Sequence, residues 1–106
     1  MKKILVIRFS SIGDIVLTTP VLRAIKQQLQ CELHFLTKKQ YAELSRNNPH
    51  VDKVHTYDAD LGKVIELLKR ENYSHVVDLQ KNLRSLKVRR KLRAPSSSFS
   101  KLNRQK

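Results

Sequence analysis

Two short polar segments of this chain carry side chains that can do chemistry. The first, Ser10-Ser11-Ile12-Gly13-Asp14, brings two hydroxyls, a glycine amide and a carboxylate into five residues. The second follows Asp78 and holds Lys81, Asn82 and Arg84. A carboxylate at the start of a helix can act as a general base toward a substrate hydroxyl. It can equally cap that helix and need no ligand at all. Ser10, Ser11 and the Gly13 amide can donate to phosphate or sugar oxygens, or simply make a turn. Lys81, Asn82 and Arg84 can hold carboxylates and phosphates, or line a solvated basic helix face. The residues alone leave each pair of readings open. Gly13 and Gly62 are the only glycines, so neither G-x-G-x-x-G nor a G-K-[ST] loop exists. That argues against P-loop ATP hydrolysis and ordinary dinucleotide binding.

The elements that must position these segments can be read from hydrophobic pattern. Ile4, Leu5, Val6 and Ile7 form a continuous apolar run within Lys3–Phe9, as in a buried parallel strand. Ile15–Thr18 can add one helical turn. Thr19 then reads as a cap and Pro20 as the first position of a helix whose apolar face is Val21, Leu22, Ile25 and Leu29. Glu32–Thr37 reads as a strand, Lys38–Arg46 as a weak helix stopped by Asn47-Asn48-Pro49, and Val51–Tyr57 as a third strand. Asp58 or Asp60 can cap a helix striped by Leu61, Val64, Ile65 and Leu68. Tyr73–Leu79 returns to strand, and Lys81–Leu92 reads as a basic helix. Four strand–helix repeats predict an α/β fold, a Rossmann-like parallel sheet with helices on both faces. Ligands of such sheets bind beyond the carboxyl ends of the strands, which is where both polar segments fall. The expected organisation is one domain over residues 1–93. Residues 94–106, rich in Ser, Lys and Asn, are expected to be a flexible basic tail or the start of a further region.

Charge and composition narrow the partners. Residues 1–80 hold twelve Lys and Arg against nine Asp and Glu, whereas residues 81–106 hold ten and no acid, giving +13 in all. The basicity is therefore carboxy-terminal and calls for an anionic partner. Lys87, Arg89, Arg90, Lys91 and Arg93 suit an anionic membrane surface. A nucleic-acid-binding module is a rival, but no Trp is present, and the six Phe and Tyr do not interleave with the basic helix as a stacking platform. A flavodoxin-like partner-binding module is the other rival, although strand one is not followed by the acidic pair of a receiver's metal site. Arg8 ends the first apolar run far short of a signal-peptide core, and the single cysteine, Cys31, allows no internal disulfide. Both features suggest a cytoplasmic protein. His34, His50, His55 and His75 are spread through the sequence and read as structural or solvent-facing, so no metal is expected.

The stretch from Lys3 to Lys26, with Ser-Ser-x-Gly-Asp at residues 10–14 and Thr-x-Pro closing at Pro20, resembles the opening of the glycosyltransferase family 9 proteins. A second block, His75-Val-Val-Asp-Leu-Gln-Lys-Asn-Leu-Arg-Ser85, is similar to that family's Asp-Leu-x-Gly-Asn-x-Arg-Ser segment, with Lys81 where the family usually has Gly. The resemblance runs from Met1 to about Leu92. It implies the amino-terminal, acceptor-side half of a two-domain GT-B enzyme. It also implies transfer of heptose from ADP-heptose to the lipopolysaccharide inner core, with inversion and no cofactor. In that reading Asp14 is the catalytic base, and Ser10, Ser11, Gly13, Lys81, Asn82 and Arg84 serve the substrates. The implied location is the inner face of the inner membrane. The chain alone, lacking a donor-binding half, is expected to be inactive and to self-associate through its exposed edges.

Overall fold

Buried β-rich runs alternate with amphipathic helices in the computed structural model, which describes residues 2–9, 12–58 and 60–98. Strand β1 (Lys2–Ile7) is buried along Ile4–Ile7 and forms the middle of the sheet. Helices α1 (Ile12–Leu17) and α2 (Thr19–Gln28) lead to β2 (Cys31–Lys38). A single 3-10 turn (Lys39–Tyr41) and the short α3 (Ala42–Arg46) precede β3 (Lys53–Tyr57). Helix α4 (Leu61–Lys69), β4 (His75–Asp78), α5 (Leu83–Leu92) and β5 (Ser96–Ser98) follow. Every pairing is parallel, in the order β3-β2-β1-β4-β5. The expected fold class is therefore the observed one.

Side-chain alternation sends each strand's residues to two cores. Ile4, Val6, Leu33, Phe35 and Val77 meet Ile15, Leu22 and Ile25 of α1 and α2. Leu5, Ile7, Leu36 and Val76 meet Val64, Ile65 and Leu68 of α4, with Val88 of α5. Leu22 and Ile25 are three apart and both buried, so each stabilises the docked helix by about 1.5–3 kcal/mol. Asp60 caps α4, its side chain accepting from the Lys63 amide.

Two expectations are corrected. Helix α1 begins at Ile12, so Asp14 lies within its first turn and does not cap it. Thr19 is not a cap either: Thr18 precedes α2, and its hydroxyl donates to the Asp14 carbonyl at 2.8 Å. The two helices thus run on from one another with Pro20 in the first turn of the second, where a missing N–H costs nothing. Within the segment expected to be a tail or the start of a further region, Ser96–Ser98 adds a strand beside β4, the Val76 amide donating to the Pro95 carbonyl at 2.8 Å. Backbone pairing alone makes that strand, because three serines carry no hydrophobic alternation. Residues 99–106 lie outside the described residues, as do Ser10 and Ser11.

Candidate active site at the sheet switch point

Strand order reverses at β1, which has β2 on one side and β4 on the other, so the crevice of such a sheet opens at the carboxyl ends of β1 and β4. The two polar segments singled out by sequence emerge there, side by side. Three bonds tie them together. The Leu79 amide donates to the Ile7 carbonyl at 3.0 Å, the Phe9 amide donates to Gln80 Oε1 at 3.1 Å, and the Arg8 guanidinium donates through Nη1 to the Leu79 carbonyl.

Arg8 also reaches the carboxylate of interest. Its Nη2 lies 2.7 Å from Asp14 Oδ2, and both side chains are partly exposed. One guanidinium therefore joins the β4 loop to the first turn of α1 and fixes the orientation of Asp14. Arg8, Asp14, Leu17, Thr18 and Leu79 line an open pocket of about 150 Å³. Gly13 precedes Asp14 in the same helical turn, and a Cβ built there would meet nothing within 4 Å. The helix itself does not require that glycine; the space in front of it remains open.

The second segment is organised by capping. Asp78, buried at the end of β4, accepts the Gln80 and Lys81 amides through Oδ1, each at 2.9 Å. Its Oδ2 stands 2.9 Å from Arg89 Nε of α5, an ion pair whose N–H is not aligned as a hydrogen bond. Asn82 caps α5: its Oδ1 accepts the Ser85 amide while Ser85 Oγ accepts the Asn82 amide, both at 2.9 Å. The Asn82 side chain is thus committed to the helix start. Lys81 and Arg84 are exposed at the same end of the sheet as Asp14. Sequence reasoning missed Arg8, Thr18, Leu79 and Gln80. A cation directly after a buried strand was the one available signal for Arg8.

No family model matches the chain. It is 31% identical over 106 aligned positions to lipopolysaccharide heptosyltransferase 1 of Campylobacter coli, covering 93% of this chain and 31% of that protein. The family 9 glycosyltransferase of Veillonella parvula superposes with a TM-score of 0.83 at 20% identity, covering 98% of this chain and 34% of that one. The E. coli heptosyltransferase WaaC, solved with ADP, gives 0.75 at 21% identity, covering 91% of this chain and 34% of WaaC. The chain is similar in sequence to a lipopolysaccharide heptosyltransferase and shares its fold with family 9 glycosyltransferase structures. It spans about a third of the length of the relatives it matches.

The similarity sharpens one departure of this chain. Lys81, where the motif it resembles has Gly, has a φ of +55°, in the left-handed region that favours glycine. The two Asp78 bonds and the Asn82 cap hold the loop in that conformation whatever residue occupies position 81.

The histidines are not all separate, contrary to the sequence reading. His34 and His55 meet on the opposite face of the sheet from α1, with Tyr73 between them and Glu71 beside them. Twenty-one residues apart in sequence, they sit on adjacent parallel strands. Burial, then repulsion from His34 and Lys53, pulls His55 from its ordinary 6.5 to about 4, against the opposing pull of Glu71. Lys53 and Lys3 hold the Glu71 carboxyl down at about 2, while burial pushes the Tyr73 phenol up. Among the described residues no helix is long and apolar enough to cross a membrane.

Proposed function

We propose that this chain is the acceptor-side part of a heptosyltransferase that moves a heptose from ADP-heptose to the lipopolysaccharide inner core, inverting the anomeric centre. Asp14 takes the proton from the acceptor hydroxyl. The freed oxygen pair bonds to the anomeric carbon as the bond to ADP breaks, and ADP leaves with that electron pair. One base on the acceptor side suffices for a single displacement. The observation that carries this reading is the Arg8–Asp14 pair at the rim of the pocket on the sheet's switch point. Arg8 orients the carboxylate, the open space before Gly13 admits the sugar, and Lys81 and Arg84 face its anionic groups. Asn82 contributes by fixing the loop, and Ser10 and Ser11 supply further donors.

Lys87, Arg90 and Lys91 of α5 and Arg93 just after it remain exposed, whereas Arg89 is turned inward to Asp78. Each exposed cation contributes about 1 kcal/mol at an anionic leaflet, enough together to keep the enzyme at the inner membrane face where a lipid-linked acceptor lies. No nucleic acid and no cofactor are assigned. Among the described residues the outer strands are β3 and β5, whose edges favour self-association of the chain by itself.

The test is Asp14→Asn in the longer protein. Turnover should fall on the order of 10²–10⁴-fold, with donor affinity within a few-fold of the parent. Parent-like turnover would leave Asp14 as a structural partner of Arg8 only. The 106-residue chain itself should transfer no heptose; measurable transfer would overturn its assignment as one part of the enzyme.

A further inference from the structure

The His34–His55 cluster holds more polar atoms than its protons can join. His34 Nδ1, His55 Nε2 and the Tyr73 hydroxyl form a triangle with sides of 3.1, 2.7 and 3.1 Å. Glu32 accepts from His34 Nε2, so His34 takes the Nε2–H tautomer and presents a bare lone pair at Nδ1. With both rings neutral, only Tyr73 O–H and His55 Nε2–H remain to serve three sides. Glu71 Oε2 lies 3.8 Å from His55 Nε2. Ligand atoms of His34, His55 and Glu71 all fall within 4.8 Å of one another. Around a tetrahedral Zn²⁺, nitrogen and oxygen ligands lie roughly 3.2–3.6 Å apart, so small side-chain shifts would admit an ion.

We propose that His34 Nδ1, His55 Nε2 and Glu71 form a structural site for a divalent transition-metal ion of the Zn²⁺ class, with Tyr73 adjoining the fourth position. Two imidazoles and one carboxylate select such an ion over Mg²⁺ or Ca²⁺, which take oxygen ligands. Glu32 is the outer carboxylate that orients a ligating histidine. For His55 Nε2 to ligate, its proton moves to Nδ1, a change of tautomer with no net proton released. The ion enters past Glu71, whose side chain is 15% exposed, while His34 is fully buried. Lys3 and Lys53, each 2.9 Å from a Glu71 oxygen, oppose it and tune the affinity. The site lies across the sheet from Asp14, so it joins β2, β3 and the α4–β4 connection without taking part in transfer. This inference stands apart from the proposed reaction.

The experiment titrates the metal-stripped 106-residue chain with Zn²⁺ by calorimetry and with Co²⁺ by visible absorption. One ion per chain, a four-coordinate Co²⁺ spectrum and a higher melting temperature with Zn²⁺ are expected. His55→Gln and Glu71→Gln should each weaken binding at least about tenfold and Glu32→Gln roughly 10–100-fold. Lys53→Met should tighten it. Joint replacement of His50 and His75 by Gln should leave it unchanged. Circular dichroism confirms the fold of each variant, and if His55→Gln does not fold, Glu71→Gln at the exposed margin decides. Absence of the Co²⁺ spectrum and of a melting shift, or binding that survives Glu71→Gln, overturns the site.

Discussion

Replacing Lys81 by glycine should stabilise this chain. Lys81 holds φ at +55°, a conformation that crowds the Cβ of an L-residue against the backbone at a cost of about 1–2 kcal/mol. Glycine removes that cost but gives the unfolded chain more freedom, which offsets about 0.5–1 kcal/mol. The two amides that donate to Asp78 belong to the backbone and survive the change. The net gain is therefore about 0.5–1 kcal/mol. For 106 residues this corresponds to a melting shift of roughly 2–5 °C. Thermal unfolding followed by circular dichroism measures it. Lys81→Ala is the control: it removes the charge and the long side chain but keeps the Cβ, so it should not gain. A Lys81→Gly chain no more stable than the parent, or an alanine variant that gains equally, would show that backbone conformation is not what distinguishes this position.

Two further predictions use other parts of the structure. Gly13→Ala should hold or raise stability, because alanine favours helix over glycine by up to about 1 kcal/mol and its Cβ meets nothing within 4 Å. The same change should lower kcat/KM for heptose transfer at least about tenfold in the longer protein, and an unchanged value would remove Gly13 from the acceptor site. In the presence of a chelator, stability should decline as pH falls from 6.5 to about 4, since the unfolded chain binds the His55 proton first. The loss is at most about 3 kcal/mol and stops below pH 4 for this group. Glu71 then adds a separate loss between 4.5 and about 2, as a carboxyl held low in the folded state becomes protonated. Denaturant unfolding across this range should show that slope in the parent and a flatter one between pH 6.5 and 4.5 in His55→Gln. Equal slopes would place the acid sensitivity elsewhere.

What was legible in the sequence was what local periodicity encodes. Ile4–Ile7 announced β1, and Leu61, Val64, Ile65 and Leu68 announced α4, because each element's buried face repeats within a few residues. The two polar loops could be placed because a parallel sheet sends alternate connections to one end. β5 could not, since backbone bonds to β4 make a strand of three serines that no side-chain pattern marks. Asp14 could be singled out as a candidate, but its ion pair could not: Arg8 looked like the residue that merely ended an apolar run. Its role depends on the adjacency of β1 and β4, strands separated by sixty-seven residues of chain.

The histidine cluster was hidden for a related reason. In parallel pairing, register is set by the helices that return the chain, not by a local turn, so no sequence spacing reports which residues of two strands meet. His34 is paired in the ladder with Lys53, and His55 with Leu36. The two imidazoles reach each other diagonally, on one face, through side chains long enough to cross two positions. Tyr73 and Glu71 arrive there only because α4 packs on that same face and ends beside it. Four residues spread over forty positions thus become neighbours through one choice, the face on which α4 docks. That choice is written in the stripe of Val64, Ile65 and Leu68, which carries no polar atom of the cluster.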